Sequence, residues 1–213
     1  NLMTAGSGIV HSERSPVAER QRSEGGHQGR ISGMQTWLAL PDGKEEIDPA
    51  FQHIGADELP ILEDSGLKAR IIMGELWGKT APTTQHAQTI YADILLDAGT
   101  SVPIEAGADE RAVLVALGDA ELDGDALERH TLYVLAPGEA MTLRATSDAR
   151  VMLLGGEAFA TQRHVWWNFV SSSKDRIADA REAWKAKGFP DVPGDSEERI
   201  PIPEGQPKTV SYP

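Results

Sequence analysis

His11 and Glu13, two positions apart, are the side chains of this chain best suited to chemistry. They close the run Thr4-Ala5-Gly6-Ser7-Gly8-Ile9-Val10, in which two glycines turn the backbone and two β-branched residues favour an extended continuation. Successive side chains of a strand point to opposite faces, so His11 and Glu13 would share a face. On a helix the same pair would be splayed by about 200° and could not meet one ion. The extended reading therefore offers an imidazole nitrogen and a carboxylate oxygen to a single metal. Taken alone, a His-x-Glu is more often a solvated strand edge than a ligand pair.

The wider stretch adds weight. Asn1-Leu2-Met3-Thr4-Ala5-Gly6-Ser7-Gly8-Ile9-Val10-His11-Ser12-Glu13 resembles the second metal-binding motif of the pirin family, a bicupin group. Gly33-Met34-Gln35-Thr36-Trp37-Leu38-Ala39-Leu40-Pro41 resembles the strand that follows it in pirins. Arg163-His164-Val165-Trp166-Trp167-Asn168-Phe169-Val170-Ser171-Ser172-Ser173 is similar to a segment of the bacterial pirin-like branch, so the resemblance runs from Asn1 to at least Trp184. It implies an all-β fold of two cupin-type β-barrels, with metal in the N-terminal barrel only. The metal ligands it implies are three His and one Glu, the last two matched at His11 and Glu13. The other two form a His-x-His that this chain does not contain. The resemblance places them upstream of Asn1, in a segment cleaved from or separate from this chain.

The same resemblance implies a function. An imidazole and carboxylate set suits Fe(II), and would also accept Mn, Co, Ni, Cu or Zn. Pirin-like proteins are associated with quercetin 2,3-dioxygenase chemistry on flavonols, in which Glu13 would be both a ligand and the base that takes the substrate's proton. The alternative is a non-enzymatic, iron-dependent regulator whose surface, altered by the redox state of the metal, meets a protein partner.

Composition bounds these readings. The chain has 213 residues, 40% hydrophobic and 25% charged, with no cysteine and a formal charge of −13. That is enough chain for one large or two small domains with an ample core. The acidity argues against direct nucleic-acid binding, which needs a basic face to release counterions. No apolar run approaches the ~18 residues of a membrane span. Without thiols there are no disulfides, which permits the cytoplasm, the location expected here.

The elements that must position the pair read mostly as strands. Residues 14–32 are a polar Arg, Glu and Gly-rich loop, read first as a plain solvated loop and, in a metal barrel, long enough to be a lid over the site. Met34–Leu40 carries apolar groups on both faces, as expected of a strand packed on two sides. Phe51, Ile54, Leu59, Ile61 and Leu62 anchor an irregular acidic stretch over 44–66. Lys68–Leu76 is a strand with Ala69, Ile71 and Met73 inward. Residues 78–88 form the best linker, after which alternation restarts at Ile90, Ala92, Ile94 and Leu96. Further strands are expected over 111–122, 131–135, 140–144 and 151–154, with Asp123-Gly124-Asp125 and Ala136-Pro137-Gly138-Glu139 as hairpin turns. This spacing predicts a β-sandwich or barrel, and the restart after Gln88 suggests two of them, followed by a helix with a Pro-rich tail over 171–213. With the resemblance, that implies an N-terminal, metal-binding and incomplete cupin barrel over 1–88 and a second over 89–170.

From Gly99 to Gly118 the second half keeps the glycine frame of a first cupin motif, yet Glu105, Gly107 and Arg111 stand at the ligand positions. Thr142 falls near the place of the later metal His. Arg offers only donors, so this barrel is expected to be metal-free. A helix capped by Ser172 or Ser173 should run to Lys185, stop at Gly188, and dock through Ile177, Ala180 and Trp184. The tail from Pro190 holds six of the 13 prolines and is either an arm on the body or disordered. His27, His53, His86 and His130 lie in loops and are read as solvated. Trp166 and Trp167, adjacent on a strand, should face opposite sides.

Overall fold

The computed structural model describes residues 1–15, 17–18, 33–204 and 210–212. Regular structure is mostly β. The strands are β1 (Leu2–Thr4), β2 (Ala50–Gln52), β3 (Ile61–Asp64), β4 (Leu67–Leu76), β5 (Lys79–Thr80) and β6 (Thr89–Leu96). They continue with β7 (Ser101–Ile104), β8 (Glu110–Leu117), β9 (Ala120–Leu122), β10 (Asp125–Leu127), β11 (Leu132–Val134) and β12 (Met141–Ala145). The last are β13 (Ala149–Gly156), β14 (Arg163–Trp166), β15 (Phe169–Ser171) and β16 (Val210–Tyr212), with helix α1 (Lys174–Lys185) between β15 and β16. Strands β1 and β2 pair with each other. The chain divides into two compact units, Asn1–Met3 with Phe51–Ala160, and Thr4–Ala50 with Thr161–Pro213.

In the first unit one sheet runs β11-β8-β13-β6-β4-β3, with β5 on β4, and a second runs β10-β9-β12-β7. Alternation in the sequence sends one set of side chains from each strand into a shared core. Ala69 and Ile71 of β4, Ala92 and Ile94 of β6, Val113 and Val115 of β8 and Leu143 of β12 are all fully buried there. Truncating such a residue, as in Leu143→Ala, costs about 2–5 kcal/mol. These are cupin-like sheets, and among the described residues their strand orders are open paths, not closed rings. Residues 78–88 carry the chain from β4 to β6, its antiparallel neighbour in the same sheet.

Some expectations hold and others do not. Asp123 and Gly124, at φ +51° and +95°, make the two-residue turn between β9 and β10. Ala136–Glu139 is no hairpin, because β11 and β12 belong to different sheets. Met73 is buried but outside the main core, since a bulge between Ile71 and Met73 breaks the alternation. Phe51 is exposed instead of anchoring its segment. Met34–Leu40 forms no strand, and Met34, Trp37 and Leu38 lie exposed, since no described strand runs beside them. Most of the 14–32 loop, with His27, falls outside the described residues.

The second unit is built on the sheet β15-β14-β16 and on α1. Ser173 caps the helix, its hydroxyl accepting from the Arg176 backbone N–H at 3.2 Å. Ile177 and Ala180 are buried as the stripe requires. The left-handed residue at the C-terminus is Lys187, φ +57°, with the Gly188 N–H closing onto the Ala183 carbonyl at 2.7 Å. Trp167, at φ +52°, sits in the two-residue turn after β14, so its ring meets that of Trp166 at 6.3 Å instead of facing away. Trp167 also packs edge-on against Trp184 (5.3 Å) and Phe169 (5.4 Å), and Phe189 stacks on Phe169. Each such pair adds about 0.5–1.5 kcal/mol beyond its buried area.

Candidate metal centre

The stretch that carries His11 and Glu13 is pinned on both sides. Gly6 has φ +51°, and a Cβ there would lie 2.0 Å from the Ile47 carbonyl oxygen, which accepts the Ser7 N–H. The Gly8 N–H returns to the Ala5 carbonyl at 2.9 Å, closing the turn. At Gly8 a Cβ would come within 2.9 Å of the Phe189 ring, so only glycine lets the chain pass beneath that ring. Arg176 donates to the Ser7 carbonyl at 3.2 Å and to Glu46.

On the other side, Arg14 makes a two-pronged contact with Asp195, Nε to Oδ2 at 2.7 Å and Nη2 to Oδ1 at 2.8 Å. Its remaining Nη1 donates to Glu198 at 2.5 Å. Hydrogen bonds from Arg14, and then from Ser12, hold the Asp195 carboxyl below the usual carboxylate range. Hydrogen bonds to Asp195 and Glu198 push the Arg14 guanidinium still higher.

Between these anchors, residues 8–15 form no strand, because no described strand lies beside them to share a ladder. His11 and Glu13 are both exposed and have no hydrogen-bond or ion-pair partner among the described residues. Among those residues no group of three or more His, Cys, Asp or Glu side chains converges to hold a metal. The donor set is right in kind for a divalent transition metal and short in number, with two ligand atoms where a mononuclear site takes four or more.

The other candidate positions are accounted for by local contacts. Arg111 is buried and donates from Nη1 to the Glu105 carbonyl (2.8 Å) and from Nη2 to the Ala136 carbonyl (2.5 Å). Thr142 is exposed, since its neighbour Leu143 faces the core. His53 pairs with the Asn1 side chain at 2.7 Å, and His130 lies in a turn at φ +62°.

The sequence profile of the Pirin C-terminal cupin domain matches residues 91–190. A pirin-like protein of Caulobacter vibrioides is 46% identical over 207 residues, covering 96% of this chain and 69% of that protein. The chain belongs to the pirin family. A Pseudomonas aeruginosa protein, provisionally named a quercetin 2,3-dioxygenase, is 33% identical over 87% of this chain. The crystal structure of an Acinetobacter baumannii quercetin 2,3-dioxygenase superposes with a TM-score of 0.73 at 30% identity, over 82% of this chain. The chain spans 56% of the Pseudomonas protein and 59% of the Acinetobacter one, little more than half of either. Among the described residues of the chain no helix is long and apolar enough to cross a membrane.

Sequence reasoning missed the partners of Ser12 and Arg14. Asp195 and Glu198 lie in a tail that reads as Pro-rich and irregular, and the Arg14–Asp195 bond spans 181 residues. The only local signal was Val192-Pro193-Gly194-Asp195, a turn sequence.

Proposed function

We propose that this chain is the greater part of a pirin-like mononuclear metal protein, an Fe(II)-dependent dioxygenase of the quercetin 2,3-dioxygenase type. The observation that carries the reading is the His11-x-Glu13 pair, without a hydrogen-bond or ion-pair partner among the described residues, within a stretch anchored at Gly6, Gly8 and Arg14. Likeness to the Acinetobacter quercetin 2,3-dioxygenase supports it. In the full-length protein the site is expected to lie in the N-terminal one of two cupin barrels, in the cytoplasm, and an upstream His-x-His would complete it.

His11 would give an imidazole nitrogen and Glu13 a carboxylate oxygen to the metal. A metal held by these two residues would supply Lewis-acid polarisation of a hydroxyl of the flavonol. The part of this chain's own chemistry is proton handling. A Glu13 carboxylate oxygen, facing the substrate hydroxyl, accepts its proton as the oxygen becomes anionic.

The test is oxygen uptake with a flavonol by the metal-reconstituted full-length protein, beside Glu13→Gln. Turnover that falls ~100-fold or more in the variant at parent-like metal content supports the base role. A full complement of metal without any turnover assigns the site to an iron-dependent regulator acting through a protein partner.

A further inference from the structure

Among the described residues the two core-facing sheets of the first unit end in four edge strands, β3 and β11 in one, β7 and β10 in the other. An edge strand offers unpaired N–H and C=O groups to any extended chain, and charges or a proline on it discourage such pairing. β3 carries Glu63 and Asp64, β10 begins at Asp125, and β7 holds Pro103. β11, Leu132-Tyr133-Val134, has none of these.

The geometry of β11 is set by β8. Leu132 lies opposite Leu114 and Val134 opposite Ala112, and the Leu135 N–H donates to the Arg111 carbonyl at 2.8 Å. Peptide groups of an antiparallel strand point alternately toward and away from the neighbour. Leu135 and Tyr133 therefore direct theirs to β8, and Leu132 and Val134 direct theirs to the open edge. Tyr133 packs against the core, its hydroxyl accepting from the Glu128 N–H at 2.8 Å. By the period of two, Leu132 and Val134 take the other face, where they are 53% and 78% exposed. The same two residues thus present free backbone groups and bare apolar side chains.

The charge around the edge selects the partner. Glu110 stands two residues before Ala112 and so on the face of Val134, Glu128 precedes β11, and Glu139 follows it. All three are exposed, and their carboxylates make no hydrogen bond or ion pair among the described residues. Arg129, between Glu128 and β11, is already paired with Asp119 at 3.0 Å.

We infer that β11 is a docking edge for an extended segment of another protein, one with two apolar residues two apart between basic ones, which joins the sheet as a further strand. Backbone bonds to Leu132 and Val134 supply the pairing, and the apolar side chains of the segment cover theirs. Its flanking Lys or Arg meet Glu110, Glu128 and Glu139. A second copy of this chain would bring the same three carboxylates and the same formal charge of −13, so like charges oppose it. The inference is independent of the metal reading.

The test uses the full-length protein and a short fluorescein-labelled peptide that alternates Val and Thr between paired Lys ends, followed by fluorescence anisotropy and amide hydrogen exchange. Saturable binding is expected, weakened ~10-fold or more by Val134→Lys and by Leu132→Lys, exposed positions that accept a polar side chain. Glu110→Gln, Glu128→Gln and Glu139→Gln together should weaken it ~3-fold or more, and a peptide with Glu ends should bind ~10-fold or more weakly. Leu95→Lys changes an exposed leucine of β6, away from the edge, and should bind like the parent. The Leu132 and Val134 amides should exchange ~10-fold or more slowly with peptide bound, which charge attraction alone would not cause. No binding at about 1 mM peptide, binding indifferent to Val134→Lys, or amides left unprotected each overturns the docking edge. A parent that sediments as a dimer, with Val134→Lys monomeric, overturns the basic partner in favour of a second copy.

Discussion

Arg111 shows how one residue can be legible in type and still surprise in role. The glycine frame from Gly99 to Gly118 placed it at a cupin ligand position, and its donors-only chemistry was evident from its identity. What the spacing could not give is what those donors meet. Its two terminal nitrogens tie the carbonyls of Glu105 and Ala136, joining the chain after β7 to the chain after β11. Charged hydrogen bonds of this kind contribute about 1.5–3 kcal/mol each. Arg111→Met should therefore lower the urea unfolding free energy by roughly 3 kcal/mol, with Arg111→Lys between the two because an ammonium cannot span both carbonyls. A methionine variant as stable as the parent would show that the loops hold without the guanidinium. His11 and Glu13 were singled out by a strand reading of their stretch, which forms no strand because no described strand lies beside it, and their role as metal ligands is a proposal. Ser12 and Arg14 were not, because their partners come from the far end of the chain.

At the scale of elements, the helix and strands with strong periodicity could be read directly, and the segments that depend on a neighbour could not. β4, β6, β8 and α1 carry their own pattern of burial, whereas Met34–Leu40 has a strand's pattern and no described strand to pair with. The segment over 40–46 is held by side chains. Arg163, itself buried, donates to the Leu40 carbonyl at 2.8 Å and to Asp42 at 2.7 Å, and Glu45 accepts from Ser172. Hydrogen bonds from Thr161 and then Arg163 hold the Asp42 carboxyl below its ordinary value of 3.8. A depressed carboxyl adds stability that is present above the unfolded value and disappears as pH falls through the folded one. Unfolding midpoints measured from about pH 5 down to about pH 2 should thus drop less steeply in Asp42→Asn than in the parent. Equal slopes would mean that Asp42 is not coupled to folding. The aromatic cluster makes a second expectation. Trp184→Ala removes edge-on contacts to Trp167 and Phe189 and the tie to Ile200, and should cost about 3 kcal/mol in chemical denaturation. A loss under ~1 kcal/mol would show that the cluster relaxes to fill the gap.

For the molecule as a whole, strand spacing and turn residues indicated a β-sandwich or barrel, the family resemblance implied cupin barrels, and the two core-facing sheets of the first unit are cupin-like. The order in which strands pair lay beyond alternation, since a period of two says which face a residue takes and not which strand lies beside it. The bulge in β4 and the crossover at Ala136–Glu139 are instances, both set by long-range packing. The central claim concerns the ion. Its most direct measurement is elemental analysis of the full-length protein reconstituted anaerobically with Fe(II), parent beside His11→Ala. The expected result is about one iron per parent chain and less than about a tenth of that in the variant, with both proteins equally folded by circular dichroism, since a single imidazole is a large part of such a ligand set. Equal iron in the two proteins would contradict the assignment of His11 as a ligand, and with it the metal centre proposed here.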